Sequence, residues 1–413
     1  MKKKQLNKLK ILLINERHYN SGGAEKQFFA LKKLLQKRGI TVHSLGFGPK
    51  YALGRDYYVL KESRYALIRE FYRNILNPTK FFRMRRYIKN FNPDVIHLHN
   101  INNYTPTIIR AVNNHKIILT LHDYSMFCPE GWNTHNDNKI CKTGFRKKCW
   151  LKHKKSSWPI FLSRILTYFI KKRFFKTKVN IFITPTPMLK EYVKNSGYTN
   201  TEYIPNILNY YKLTNNIKNI SANTRQNILY VGSLEYNKGV TILLEEYYLA
   251  KQKFEKYFDK KLPRLVFPKL MIVGKGSLES QLKSFVKLKE LENDVVFIGW
   301  SDNTKKYYNS AMFVVVPSLF MEQFGMVAAE AMMNSVAVVG ANIGGISWLV
   351  KDKHTGLLFN PNTRGELSDV MIKIINNKSL TYKMGVRGYK RIKQLINNTD
   401  SINKILREYQ YVK

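Results

Sequence analysis

Short apolar runs alternate along this chain with longer stretches whose apolar residues have the spacing of a helix. Residues 11–14 form the first run, and residues 25–37 follow with helical spacing at Phe28, Leu31 and Leu35. Similar strand-like runs recur at 41–45, 95–98, 117–121 and 179–184. Strands that alternate with helices indicate parallel β-α-β units, so the pattern predicts an α/β fold with a doubly wound sheet.

The pattern lapses between residues 207 and 226, a stretch rich in asparagine that we interpret as a linker. It then restarts, with strand-like runs at 227–231, 270–273, 295–298, 312–316, 336–339 and 356–359. We therefore predict two Rossmann-like domains, residues 1–206 and residues 227–385. Ligands of such sheets lie at the carboxyl ends of the strands, so two domains facing a central cleft would bind a ligand there.

The charge of the chain is strongly unbalanced, with 70 Lys and Arg against 28 Asp and Glu and a formal net charge of +42. Such a chain attracts nucleic acid, anionic lipid or phosphorylated substrates, although abundant Lys, Asn, Ile and Tyr also fit an AT-rich genome. We find no signal peptide and no run that approaches the ~20 apolar residues of a membrane span. Three cysteines suit a reducing compartment. We expect a cytoplasmic or peripheral protein.

Polar or glycine-rich loops follow several predicted strands. Gly22 and Gly23 precede a helix, where they would let the backbone approach a phosphate or would simply form a turn. His122 directly follows the run 117–121, where it could donate to a substrate hydroxyl or be a structural histidine. His97 and His99, at the end of the preceding strand, we interpret as mostly structural.

Two loops of the second predicted domain carry charged residues. The loop 232–239 includes Lys238 near its end, where a lysine suits a diphosphate but would also be an ordinary surface residue. Glu322 precedes an apolar helix that starts near Gly325, and Glu330 lies within it. One carboxylate could then address a sugar and the other a ribose, with backbone N–H groups between them for a phosphate. The alternative is a helix cap and a half-exposed side chain.

Two smaller loops also follow strands of the second domain. Gly274 and Lys275 follow one strand, and Gly299 and Trp300 follow the next. Both loops could bracket a nucleotide base, and each taken alone also fits a plain turn.

In this order the motifs resemble those of glycosyltransferase family 4, a group of retaining enzymes with the GT-B fold, and the resemblance covers nearly the whole chain. The paired glutamates Glu322 and Glu330 are its most specific part. The resemblance implies two Rossmann-like domains around a cleft, with C-terminal helices of residues 386–413 that return to the first domain. It also implies a UDP- or GDP-sugar as donor substrate, with no cofactor and no required metal, and the sequence has no Asp-x-Asp motif.

The resemblance implies a role for each matching residue. Glu330 would hold the donor ribose, and the catalytic residues Glu322 and His122 would contact the transferred sugar. The other donor-binding residues that it implies are Gly22, Gly23, Ser233, Lys238, Gly274, Lys275, Gly299, Trp300, Phe324, Gly325, Met326 and Val327. The chain departs from the family at Ser233, where Arg is frequent, and at Trp348, where Glu is usual.

The three cysteines, Cys128, Cys141 and Cys149, lie in a region near residues 128–178 that we interpret as a basic insertion. Three thiolates and a histidine can bind zinc. The tight cysteine pair of most zinc sites is missing, which favours three free thiols as the alternative.

Between residues 142 and 178, thirteen Lys or Arg are interleaved with aromatic residues, without any Asp or Glu. This composition suits an interfacial helix on anionic lipid, although its apolar side could belong to the core. Contact with the inner face of the cell membrane predicts a lipid-linked or glycan acceptor, and hence assembly of a bacterial surface polysaccharide such as lipopolysaccharide or capsule. The alternatives are a basic nucleic-acid-binding protein, which does not need the paired glutamates, an inactive donor-binding protein of this fold, and an epimerase.

Overall fold

The computed structural model describes residues 9–19, 22–65, 75–102, 104–128, 145, 158–208, 225–258 and 266–412. The chain divides into two compact units. The first unit consists of Met1–Asn209 and Ile396–Lys413, and the second of Tyr210–Leu395. Most of the predicted linker 207–226, and most of the predicted insertion before residue 158, lie outside the described residues. The domain limits drawn from the sequence stay predictions.

The described part of the first unit contains one sheet, with the strand order β3-β4-β2-β1-β5-β6-β7-β8. Every neighbouring pair is parallel except β3 with β4. Its strands are β1 Lys10–Arg17, β2 Thr41–Gly48, β3 Ala52–Gly54, β4 Tyr57–Lys61, β5 Val95–His99, β6 Ile117–Thr120, β7 Val179–Thr184 and β8 Thr201–Tyr203. The helices between them are α1 Gly23–Lys37, α2 Pro78–Phe91, α3 Thr105–Val112, α4 Trp158–Lys178 and α5 Pro187–Asn195.

The second unit contains a parallel sheet with the order β11-β10-β9-β12-β13-β14 across its described residues. Its strands are β9 Asn227–Val231, β10 Leu270–Val273, β11 Val295–Gly299, β12 Ala311–Val316, β13 Ala337–Ala341 and β14 Gly356–Phe359. Its helices are α6 Val240–Phe258, α7 Glu279–Leu288, α8 Lys305–Ser310, α9 Met326–Met333, α10 Gly344–Leu349, α11 Glu366–Ile375 and α12 Lys378–Leu395. The last helix of the chain, α13 Asn398–Val412, belongs to the first unit.

The predicted fold class of two Rossmann-like sheets is confirmed. Central strands such as β1 and β12 are buried on both faces, because helices cover both sides of a parallel sheet. This is why their sequences are continuous apolar runs rather than alternating ones. On one face of the first sheet, Phe28 and Leu31 of α1 share a core cluster with Leu406 and Tyr409 of α13.

In each sheet the strand order reverses at one point, between β1 and β5 in the first unit and between β9 and β12 in the second. At such a point the loops after the two strands diverge to opposite faces, which opens a crevice outside their carboxyl ends. Ligands of doubly wound sheets bind there. The loops after β9 and β12 are therefore the first place to examine in the second unit.

Candidate functional site

The loop after β9 ends in a single 3-10 turn, Tyr236–Lys238, followed by Gly239. Gly239 has a φ of +68°, and a Cβ there would lie 1.8 Å from the carbonyl oxygen of Pro317. Only glycine fits, since both the backbone conformation and the space exclude a side chain. The Leu319 N–H also donates to the Asn237 carbonyl over 2.9 Å. The loops after β9 and β12 are thus packed together at the point where the strand order reverses.

This packing brings Lys238 to Glu322, although 84 residues separate them in the sequence. Lys238 Nζ lies 2.8 Å from Glu322 Oε1, to which the Ser318 hydroxyl also donates over 2.8 Å. The ammonium lies 4.5 Å from the centre of the Phe320 ring. Both charged side chains keep partial exposure, 29% for Lys238 and 17% for Glu322. An ammonium has three N–H donors, so this one can bind an anion as well as Glu322.

Helix α9 begins directly after this loop. Gly325 precedes it with a φ of +84°, and Met326 is its first residue. The start of a helix carries the positive end of the helix dipole, which favours a bound phosphate. The Gly345 N–H donates to the Glu322 carbonyl over 2.6 Å, and the buried Phe324 ring lies 6.1 Å from that of Trp348. Helix α10, which follows β13, therefore supports the segment that leads into α9.

Glu330 lies further along α9, where Oε2 accepts a hydrogen bond of 3.0 Å from the hydroxyl of Tyr308 on α8. Sequence reasoning missed Tyr308, and it also missed Ser318 and Phe320. Tyr308 lies in a mostly polar stretch, between Tyr307 and Asn309, and its partner Glu330 is 22 residues away. We find no sequence signal that would have singled it out.

The loops after β9, β10 and β11 are joined through glycine. A Cβ on Gly274 would lie 1.8 Å from the Gly232 carbonyl oxygen, and the Gly274 N–H donates to the Gly299 carbonyl over 2.9 Å. Lys275 follows Gly274, and Trp300, which follows Gly299, is half exposed. These predicted base-binding residues therefore lie beside one another. Ser233 lies in the first of these loops, where its carbonyl accepts from the Tyr230 hydroxyl over 2.8 Å.

In the first unit, His122 follows β6 and contacts His99 at the end of β5. His99 Nδ1 and His122 Nε2 are 2.9 Å apart, so one of the two rings donates to the other. The neighbouring His97 lies between the hydroxyls of Tyr409 and Thr120, each 2.7 Å away. Burial lowers the pKa of His122 to about 4, against the charge of Asp123, and lowers the pKa of His97 to about 3. These histidines are neutral at pH 7.

Lys171 of helix α4 lies close to Asp123, the residue after His122. Lys171 is 6% exposed, and its Nζ donates to Asn102 Oδ1 over 3.1 Å. The Asn102 amide donates in turn to the Asp123 carboxylate, which also accepts from the Ser125 N–H over 2.8 Å. Burial lowers the pKa of Lys171, against the nearby charges of Asp123 and Glu16. Asn102 thus connects a lysine and an aspartate next to His122.

The glycines of the first loop flank the start of α1. Gly22 precedes the helix in an extended conformation, and its carbonyl accepts from the Lys26 N–H over 3.1 Å. Gly23 is the first helical residue. A Cβ on Gly22 would lie 3.2 Å from Glu25 Oε2, so a side chain there would need the Glu25 carboxylate to shift by a few tenths of an ångström.

The zinc hypothesis concerns residues of which only Cys128 is described, and this residue is buried. Cys141 and Cys149 lie outside the described residues. Across the described part of the chain, no cluster of three His, Cys, Asp or Glu side chains could hold a metal ion. None of the described helices has the length and apolar content to cross a membrane.

Family models match both halves of the chain. Residues 21–210 match the model described as Glycosyltransferase Family 4, and residues 213–391 match Glycosyl transferases group 1. Together the two models cover the chain except for its two ends and residues 211–212. The chain belongs to the glycosyltransferases of the GT-B fold. The resemblance seen in the motifs is confirmed at this level, and a nucleic-acid-binding protein is not favoured.

Curated glycosyltransferases match part of the chain. An uncharacterized glycosyltransferase of Methanocaldococcus jannaschii is 32% identical over 139 residues, which is 32% of this chain and 32% of the relative. The O-antigen chain mannosyltransferase C of Escherichia coli is 28% identical over 185 residues, 44% of this chain and 45% of the relative. The chain thus matches less than half the length of these curated relatives.

Solved glycosyltransferase structures match nearly the whole fold. The Anabaena protein HepE in complex with UDP and glucose superposes with a TM-score of 0.71 and 17% identity, covering 98% of this chain and 100% of that one. A TarM variant of S. aureus in complex with UDP and α-GlcNAc-glycerol gives a TM-score of 0.70 at 15% identity, covering 97% of this chain and 99% of that one. At such identities the likeness concerns the fold.

Proposed function

We propose that this chain is a retaining glycosyltransferase that moves a sugar from a nucleotide diphosphate sugar, with UDP or GDP as the nucleotide, to a membrane-associated, lipid-linked glycan acceptor. The proposal places it in cell-surface polysaccharide biosynthesis, at the inner face of the cell membrane. One observation carries it most directly: Lys238 and Glu322 pair over 2.8 Å beside the start of α9, outside the strand ends where the sheet order reverses. A HepE structure with bound UDP-glucose is similar in fold, which supports the choice of donor.

The chemistry follows from where charge develops. The bond between the anomeric carbon and the diphosphate oxygen breaks, so negative charge grows on the leaving diphosphate. Lys238 and the N-terminus of α9 would stabilise that charge in the transition state. The acceptor hydroxyl would attack on the face that the diphosphate leaves, which retains the anomeric configuration, and would lose its proton to the diphosphate. Glu322 would accept hydrogen bonds from the sugar hydroxyls.

His122 is proposed to hydrogen-bond the transferred sugar, and Gly22 and Gly23 to approach its phosphate. A neutral imidazole suits a sugar hydroxyl better than an imidazolium does, because the hydroxyl can both donate and accept. Burial, which keeps His122 neutral, and the contact with His99, which orients the ring, are consistent with this role.

The membrane part of the proposal depends on α4. Leu162, Leu166 and Phe169 are 46%, 60% and 53% exposed, and their spacing places them on one side of the helix. The exposed Arg173 and Lys176 continue the same side towards the end of the helix. An apolar stripe followed by cations fits the interface of an anionic bilayer, where the stripe enters the acyl region and the cations meet phosphate.

The donor can be identified by thermal stabilisation with a panel of nucleotide sugars, because a ligand that binds the native state raises its stability. We expect one UDP- or GDP-sugar to raise the melting temperature, and Glu330→Ala to remove that shift. The wild-type chain, incubated with that donor and a lipid-diphosphate-linked glycan, should then form a product. NMR should show that the new glycosidic bond keeps the anomeric configuration of the donor. Donor binding without any product would instead support an inactive protein of this fold.

Flotation with vesicles tests the membrane contact. We expect the wild-type chain to float with vesicles rich in phosphatidylglycerol, and Leu166→Ser with Phe169→Ser, or Arg173→Glu with Lys176→Glu, to remain in the dense fraction. Lys283→Glu with Lys287→Glu on α7 is the matched control for two reversed charges at exposed positions. Equal flotation of the α4 variants and the wild-type chain would refute the membrane contact.

A further inference from the structure

Tyr308 is a buried tyrosine, 1% exposed, on the short helix before β12. Its hydroxyl lies 3.0 Å from Glu330 Oε2. Burial and the Glu330 charge raise the pKa of the Tyr308 phenol well above its ordinary value, so the hydroxyl keeps its proton at neutral pH. Since an ionised carboxylate can only accept, Tyr308 is the donor in this hydrogen bond.

The surroundings of Glu330 explain why such a donor matters. Ala329 and Ala331, next to it on α9, are fully buried, and Glu330 itself is half-buried. A glutamate side chain has three rotatable bonds, and immobilising it on binding costs conformational entropy. A hydrogen bond from a rigid, buried tyrosine fixes the carboxylate before a ligand arrives. The carboxylate still has the capacity for further donors, because its two oxygens offer about four acceptor positions.

We propose that Tyr308 is a positioning residue that holds the Glu330 carboxylate in the orientation needed to accept both ribose hydroxyls of a nucleotide. This inference rests on the proposed function, in which Glu330 binds the donor ribose. It assigns to Tyr308 a selectivity role: the tyrosine strengthens binding of nucleotides that carry the 2′,3′-diol and does nothing for nucleotides that lack it.

The test is calorimetric titration of the full chain with UDP, GDP and their 2′,3′-dideoxy analogues. For Tyr308→Phe we expect the affinity for the better ribonucleotide to fall about tenfold, as for a lost hydrogen bond to a charged group, and the affinity for its dideoxy analogue to stay within about twofold. Tyr307→Phe is the matched control, because it removes the neighbouring hydroxyl and has no contact with Glu330 among the described hydrogen bonds. It should leave both affinities unchanged.

Equal losses for the ribonucleotide and the dideoxy analogue would overturn the inference, because a purely structural defect weakens both. An unchanged affinity for both would overturn it as well. The double variant Tyr308→Phe with Glu330→Ala gives a check that depends less on folding. If Tyr308 acts through Glu330, removing the Tyr308 hydroxyl has no further effect on the ratio of the two affinities once Glu330→Ala has removed the acceptor. Failure of the wild-type chain to bind either ribonucleotide would instead refute the proposed function, and this inference with it.

Discussion

The two units have the same strand order around the point of reversal, but they hold different polar groups beyond the strand ends. In the first unit these groups are two neutral histidines, His99 and His122, and a buried lysine, Lys171, that donates to the side-chain carbonyl of Asn102. In the second unit Lys238 and Glu322 form a partly exposed ion pair. Neutral hydrogen-bonding groups suit sugar hydroxyls, whereas a partly solvated cation suits a diphosphate. We therefore propose that the two units, which share a strand order around the reversal, recognise different parts of one donor.

The largest effect is expected for Lys238→Met. If Lys238 stabilises the leaving diphosphate, the substitution should lower kcat/KM at least ~100-fold, as removal of a transition-state donor does in other enzymes. The free energy of unfolding should change little, because ion pairs that remain partly exposed contribute little. Lys253→Met is the control, since Lys253 pairs with Asp369 at the surface of the same unit. Equal activity of the two variants would show that Lys238 does not stabilise the leaving diphosphate.

Gly239 tests how the loops hold that ion pair. Gly239→Ala and Gly365→Ala both place an alanine at a positive φ, +68° and +86°, but only the first also meets the Pro317 carbonyl. We expect Gly365→Ala to cost about 1 kcal/mol of unfolding free energy through backbone strain, and Gly239→Ala at least about 2 kcal/mol more. Urea titrations measure both. The same cost for both variants would contradict the close contact between the two loops.

The two units should also differ in their response to acid. Burial lowers the pKa of His97 to about 3 and that of His122 to about 4, whereas an unfolded histidine titrates near 6.5. As the pH falls below 6.5 the unfolded state binds more protons than the folded one, so stability falls. For each of these two histidines, the loss of unfolding free energy reaches about 2 kcal/mol at pH 5. It keeps growing until the pH reaches the pKa that the histidine has in the folded state.

Hydrogen exchange read peptide by peptide can test this difference. After correction for the intrinsic exchange rate, β5 and β6 should lose protection between pH 7 and pH 5 more than β12 and β13, because the second unit contains only one histidine, His354. Equal losses in both units would show that the buried histidines do not govern acid stability.

Much of the fold follows from the sequence, since buried parallel strands leave continuous apolar runs such as the one in β12. The hairpin of β3 and β4 was missed, because its strands have only three and five residues. The start of α9 after Gly325 matches the predicted position. Which loops meet is a tertiary fact, however, and neither the pairing of Lys238 with Glu322 nor the contact of Tyr308 with Glu330 could be read from the chain. The ligand roles of these residues stay predictions.

The smallest effect on nucleotide binding is expected for Lys171→Met, the counterpart of Lys238→Met in the first unit. The substitution removes the donor to the Asn102 carbonyl oxygen and takes a buried cation away from the charges of Asp123 and Glu16. Removing one member of a buried charged group destabilises a fold, so we expect the unfolding free energy to fall by at least about 1 kcal/mol. The affinity for UDP or GDP should be unchanged, because the proposed nucleotide-binding residues Lys238 and Glu330 belong to the second unit. Lys172→Met, at the exposed neighbouring position, is the control. If Lys171→Met weakened nucleotide binding as strongly as Lys238→Met, the two lysines would share one role, and the division of recognition between the units would be wrong.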